Sequence, residues 1–290
     1  MQPKDILLAL AIAICWGLSF AAIKFGVHDI PPLFLTALRF TLAALPAVFF
    51  VPRPPVAWRL LIAFGIILGV IKFSIMFLAI KAGMPTGLSA LVIQTQVFFT
   101  IALGALAFRE RPTRLHLIGA GLAFFGVGLI AFSKTADAPL LPFLMILFSA
   151  LCWGVANMIA KAAGKVDMVA FSIWSSLVVP VPLLAVSLVV EGASTIASSV
   201  ANASWLAWAS LAYMAYGATL FGFSYWNHLL TRYPTASVAP FALLVPIIGL
   251  ATGTVLFDEP MPAVVLAGAA LVMAGLSINV FGARLMARLR

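Results

Sequence analysis

Charge is what this sequence has least of. Only 9% of its 290 residues are Asp, Glu, Lys or Arg, against about 25% in a soluble domain. So few charges cannot cover a water-facing surface, so the chain is expected to be solvated by lipid. Acids are scarcer still: eight, against 17 Lys and Arg. They are scattered, which excludes the paired acidic clusters that hold a metal-diphosphate. Three histidines and two cysteines leave no metal-ligand spacing. Cys15 and Cys152 lie within apolar runs and read as small buried residues rather than a disulfide. There is no phosphate-cradling loop and no serine–histidine constellation, so an enzyme or an ATP-driven pump is disfavoured. The net charge of +9 does not form a basic patch, and nucleic acid is not an expected partner.

What the chain does have is apolar length: 64% of its residues are hydrophobic. A spanning helix needs about 20 mostly apolar residues. Ten such runs can be drawn: 5–25, 32–51, 58–80, 85–108, 113–133, 140–162, 168–190, 204–231, 234–257 and 262–283. Prolines and glycines fall between them, for example Pro31, Pro52, Gly83, Pro112 and Pro139. The first run is expected to be a membrane helix rather than a cleaved leader. The longest connection, around 191–203, is expected to be a Ser/Ala-rich surface loop.

The chain also repeats itself. Cys15-Trp16-Gly17 returns as Cys152-Trp153-Gly154, and Lys24 as Lys161, at an offset of 137. Further on the offset is 149. It carries Gly104 to Gly253, Glu110 to Glu259, Gly119 to Gly268 and Gly126 to Gly275. Two halves, residues 1–137 and 138–290, are therefore expected, each of five helices. With the N-terminus cytoplasmic, twelve Lys and Arg fall inside (Lys4, Arg53, Arg59, Arg109, Arg111, Arg114, Lys161, Lys165, Arg232, Arg284, Arg288, Arg290). Three fall outside: Lys24, Lys81 and Lys134. That bias puts both ends in the cytoplasm. Five is odd, so the halves run in opposite directions. The expected fold is all-α and integral to the membrane: ten transmembrane helices in two inverted-topology five-helix repeats, an arrangement found in many secondary transporters.

The chain resembles the drug/metabolite transporter superfamily, EamA type. The resemblance rests on Trp16-Gly17, Pro32 with Leu38-Arg39-Phe40, Gly104 to Glu110-Arg111-Pro112, and Gly119, Gly121 and Gly126. The second copy keeps Trp153-Gly154, Gly253 to Glu259-Pro260, Gly268 and Gly275, but has Ser176 where the first has Arg39. Within that family the chain looks nearest to exporters of aromatic amino acids. The resemblance implies a bacterial inner-membrane protein that exports small metabolites, with a small-molecule substrate, the bilayer as its surroundings and no cofactor.

Ionisable groups inside a span are costly and mark function. Lys72 sits near mid-helix and suits a carboxylate, so a multidrug or cation carrier is the weaker alternative. Gln94 and Gln96 lie midway along the fourth helix. They are about 200° apart on a regular helix, so only one should face a cavity. Trp16, Trp153 and Asn157 are further candidates for the cavity wall, with plain packing as the competing role. Tyr216, Phe223 and Asn227 form a helical stripe expected to line the same space. Pro240 and Pro246 interrupt the ninth helix and could act as a hinge. Arg39, Glu110 and Glu259 are expected to be structural, the two glutamates ending helices.

Overall fold

Two glycine-containing crossings hold the bundle together. The computed structural model describes residues 1–109, 111–132, 139–233 and 235–288, without the side chains of 227, 230, 231, 235, 236, 239 and 283–288. Every regular element among them is helical. In chain order these are α1 (Pro3–Asp29), α2 (Pro32–Val48), α3 (Trp58–Lys81), α4 (Thr86–Phe108) and α5 (Arg114–Ala131). They continue as α6 (Leu140–Ala162), α7 (168–192), α8 (205–232), α9 (235–257) and α10 (Ala263–Arg288). Nine of the described helices are long and apolar enough to cross a membrane; α2, at 17 residues, is shorter.

In the first crossing, α5 lies against α10. A Cβ on Gly119 would come within 2.7 Å of the Gly275 carbonyl oxygen, and one on Gly126 within 2.6 Å of that of Gly268. Each glycine thus meets the repeat mate of the other. The second crossing occurs twice. Gly17 of α1 meets Ile248 of α9, and its mate Gly154 of α6 meets Phe99 of α4. Small residues let lipid-embedded helices approach backbone to backbone, where packing and weak polar contacts replace the hydrophobic effect.

Several helices depart from regularity in mated places. α3 and α8 each contain a nine-residue π-helical stretch, Gly65–Phe73 and Tyr213–Phe221. α4 tightens to a 3₁₀ turn at Ile93–Thr95, and α9 breaks at Leu243 between Ala242 and Leu244. The C-caps of α4 and α9 are Arg109 and Asp258, with φ of 55° and 50°. They are the non-glycine residues of positive φ among those described. Left-handed backbone costs a non-glycine residue about 1–2 kcal/mol. At Asp258 the tight turn carries the next residue, Glu259, back toward the start of α4.

The expected loop at 191–203 is a correction. Gly192 has φ of 84°, which ends α7, and Ala193–Asn202 forms a short helix on the surface. Its alanines permit a helix, and Ile196, 9% exposed, packs inward.

Two faces can be told apart. On the far face the end of α1 meets the starts of α4 and α8. On the near face, which holds the start of α1, Tyr233 donates to Asp5, and Trp174 Nε1 donates to the Val51 carbonyl at the end of α2 (3.0 Å).

Candidate functional site

A cavity of about 440 Å³ lies in the middle of the bundle. Its lining comes from α1, α2, α3, α4, α6, α7, α8 and α9. It extends to Ala160, Met168 and Trp226, near the near-face ends of α6, α7 and α8. It therefore opens toward the near face.

The π-helical stretches build two walls. A π turn inserts an extra residue and turns side chains out of 3.6-residue register. In α3 this places Gly65, Leu68, Gly69, Lys72 and Phe73 on the cavity. The Lys72 carbonyl accepts from Ser149 Oγ of α6 (3.2 Å). In α8, Thr219 Oγ1 donates five residues back to the Met214 carbonyl (2.9 Å), and Ala218 and Thr219 line the cavity.

Lys72 is 3% exposed and Arg39 is 4% exposed. The Lys72 ammonium stands 3.5 Å from the centre of the Phe73 ring and 4.7 Å from that of Trp153. The Arg39 guanidinium stands 4.3 Å from the same Phe73 ring and donates to Thr219 Oγ1 (3.2 Å). The two cations are therefore at most about 8 Å apart, by the sum of their distances to that ring. Arg39, expected to be structural, is part of the cavity wall. Neither cation has a carboxylate within ion-pair distance among the described residues, and none of the lining residues is acidic.

Gln94 and Gln96 both line the cavity, correcting the expectation that only one would. The 3₁₀ turn is the reason: at three residues per turn the pair closes to about 120°. Pro246 has no N–H to offer the Ala242 carbonyl one turn back. Gln94 Nε2 approaches that carbonyl instead, at 3.4 Å. The two helix breaks thus meet through one side chain. Gln96 Oε1 accepts from Asn157 Nδ2 (3.0 Å), which also donates to Thr100 Oγ1 (2.9 Å).

Trp16, Trp153, Asn157 and Phe223 line the cavity as well. Trp16 Nε1 donates to the Ala218 carbonyl (2.9 Å), which fixes its ring beside Phe223 and Trp226. Tyr216 does not join them. It lies inside the π-helical stretch, where a stripe counted at 3.6 residues per turn loses phase, and is 43% exposed. The Asn227 side chain and all of Glu110 lie outside the described residues. Pro240 and Pro246 flank the break in α9, whose Ala242 and Val245 line the cavity.

The far face is closed by carboxylates. Glu259 accepts from Thr86 N (2.7 Å), Thr86 Oγ1 (2.9 Å) and Gly87 N (2.9 Å), and pairs with Lys24 (3.1 Å). Gly253 leaves the room its side chain needs. Glu191 accepts from Leu33 N (2.8 Å) and Phe34 N (3.0 Å), and Asp29 from Ser204 N (2.9 Å). Each acid caps the start of a helix distant in sequence, an arrangement favoured by the exposed N–H groups and dipole there. The sequence offers one clue to the first two. α2 and α4 start beside Pro31-Pro32 and Pro85, with no Ser, Thr, Asp or Asn as a local N-cap.

The chain matches the EamA-like transporter family twice, over residues 3–132 and 140–281, and it belongs to that family. It is a multi-pass membrane transporter and not an enzyme. A Salmonella typhimurium protein named "Probable amino-acid metabolite efflux pump" is 43% identical over 98% of this chain and 97% of its own. An Escherichia coli protein of the same name is 41% identical over the same shares. A crystal structure matches the fold alone, with a TM-score of 0.67, 16% identity and 99% of each chain covered.

Proposed function

We propose that the protein exports amino acids and related small metabolites across the bacterial inner membrane by alternating access. In this reading the near face is cytoplasmic, and both chain ends lie there, in keeping with the Lys and Arg bias. The halves 1–137 and 138–290 run in opposite directions through the bilayer as ten spans. The mutual contacts of Gly119 with Gly275 and of Gly126 with Gly268 support that inversion. So do the mated irregularities of α3 with α8 and of α4 with α9.

The observation that carries the proposal is the central cavity: open toward one face, shut toward the other, and walled by both halves. Lys72 and Arg39 receive the substrate carboxylate, as buried cations pair most strongly with anions in charge-assisted hydrogen bonds. Trp16, Trp153 and Phe223 contact its apolar part. Gln94, Gln96 and Asn157 supply neutral polar contacts. The breaks in α4 and α9 let the outer halves of those helices swing when the far-face ties open. Discontinuous helices at mid-depth are a recurrent feature of such carriers.

The test is efflux from proteoliposomes loaded with labelled amino acids and their derivatives. Wild-type protein should release them faster than empty liposomes, and Lys72→Ala should lower the rate by at least about tenfold, one lost charge-assisted contact. Equal rates with and without protein would refute the reading.

A further inference from the structure

We infer that the cavity prefers substrates of net negative charge: carboxylates whose amine is acylated or absent, over zwitterionic free amino acids. The inference rests on the transporter reading above and adds a charge preference to it.

Two buried cations share one small space, around the Phe73 ring. The Lys72 ammonium has rings near it but no hydrogen-bond acceptor among the described residues, so its donors remain for a ligand. Arg39 uses Nε and Nη2 on the Thr219 hydroxyl, leaving the rest of its fork. A carboxylate satisfies both. A free amino acid brings an ammonium as well, and that group must be desolvated beside two like charges. A buried charge needs a partner of opposite sign or a full set of hydrogen bonds.

The described acids are committed elsewhere. Asp29, Glu191 and Glu259 cap helices on the far face. Asp5 is held by Tyr233 and Arg232, and Asp167 caps α7. The neutral acceptors are partly taken too: Gln96 Oε1 already receives Asn157 Nδ2. An N-acylated or 2-oxo acid brings no ammonium, and its amide or ketone suits the remaining Gln and Asn groups.

The cations are also one-sided. Arg39 and Lys72 both belong to the first half. The mate of Arg39 is Ser176, which lines the cavity without charge. A carboxylate is thus held by α2 and α3, with its tail toward Trp16 and Phe223.

The experiment compares labelled N-acetylphenylalanine, phenylalanine and phenylalanine amide in the same proteoliposomes, with wild type, Lys72→Gln and Arg39→Lys. Wild type should move the N-acetyl acid at least about fivefold faster than phenylalanine, and the amide at background. Lys72→Gln should bring the ratio near one, and Arg39→Lys, which keeps the charge, should preserve it. Ligand-dependent melting in detergent is read in parallel for any variant that is transport-dead. There the N-acetyl acid alone should raise the midpoint of wild type, and this difference should be lost in Lys72→Gln. Phenylalanine moving as fast as the N-acetyl acid overturns the charge preference and leaves the exporter reading standing. An undiminished preference in Lys72→Gln overturns the assignment to Lys72. No flux of any of the three overturns both.

Discussion

The two faces of the bundle cap their helices in different ways. On the near face, α5 and α7 are capped from within. Thr113 Oγ1 accepts from His116 N (3.3 Å), and Asp167 Oδ1 from Val169 N (2.8 Å). On the far face, α2, α4 and the start of α8 borrow their caps from Glu191, Glu259 and Asp29, more than 150 residues away in sequence. A local cap steadies its own helix and ties it to nothing else. A borrowed cap steadies a helix and staples it to another. The near-face ties beyond those caps join α1 to the α8–α9 turn and α2 to α7. This explains why one end of the cavity is shut and the other open, with similar packing at both.

The sharpest way to break that comparison is Glu259→Ala. It removes hydrogen bonds to two backbone N–H groups and a hydroxyl and leaves Lys24 unpaired. The cost to the shut state is about 3 kcal/mol, as for loss of a buried charged partner. A cysteine placed by Ile23→Cys on the cavity wall, with Cys15 and Cys152 replaced by alanine, reports access. Labelling from the far side should rise about a hundredfold; no rise would mean that Glu259 does not hold the end shut. Next comes Pro246→Ala, which returns an N–H to the Ala242 carbonyl and frees Gln94. A regained hydrogen bond adds about 1 kcal/mol. A higher melting temperature with transport slowed about tenfold is expected; unchanged transport would remove the α9 break from the mechanism. Glu191→Gln weakens one charged cap by about 1 kcal/mol and should raise the same labelling about fivefold. Asp167→Ala should cost a similar 1 kcal/mol, seen as a lower melting temperature, while labelling of the Ile23→Cys reporter stays constant. A change in labelling there would erase the distinction between local and borrowed caps.

The repeat and the helix limits were legible because hydropathy and glycine spacing act locally and recur. Trp16, Lys72, Gln96, Trp153 and Phe223 could be picked out for the same reason: a polar or aromatic group at mid-depth is conspicuous in an apolar run. The π-helical stretches were not legible. Gly65–Phe73 holds no proline and no gap in hydropathy, and its widening depends on α6 and α7 pressing against it, with Ser149 at the Lys72 carbonyl and Val179 against Gly69. Tyr216 was misplaced for the same reason. The reach of Glu191 to α2 was hidden because residues 158 apart meet only in the folded chain. Ser176, Thr219 and Ser172 went unassigned as cavity residues because small hydroxyls are common in membrane helices, often bonded to the carbonyl one turn back, as Ser172 and Ser176 are.

The left-over residue in each π-helical stretch bears on how the molecule could change by deletion. Removing one residue from Gly65–Phe73 would let α3 wind as a plain α-helix. Everything beyond the cut would then turn by about 100°. The lysine would leave the pocket, and Lys81 would lose the Val27 and His28 carbonyls it now grips. A single lost codon could thus erase the binding charge and loosen the outer lid at once, without altering the chemistry of any side chain.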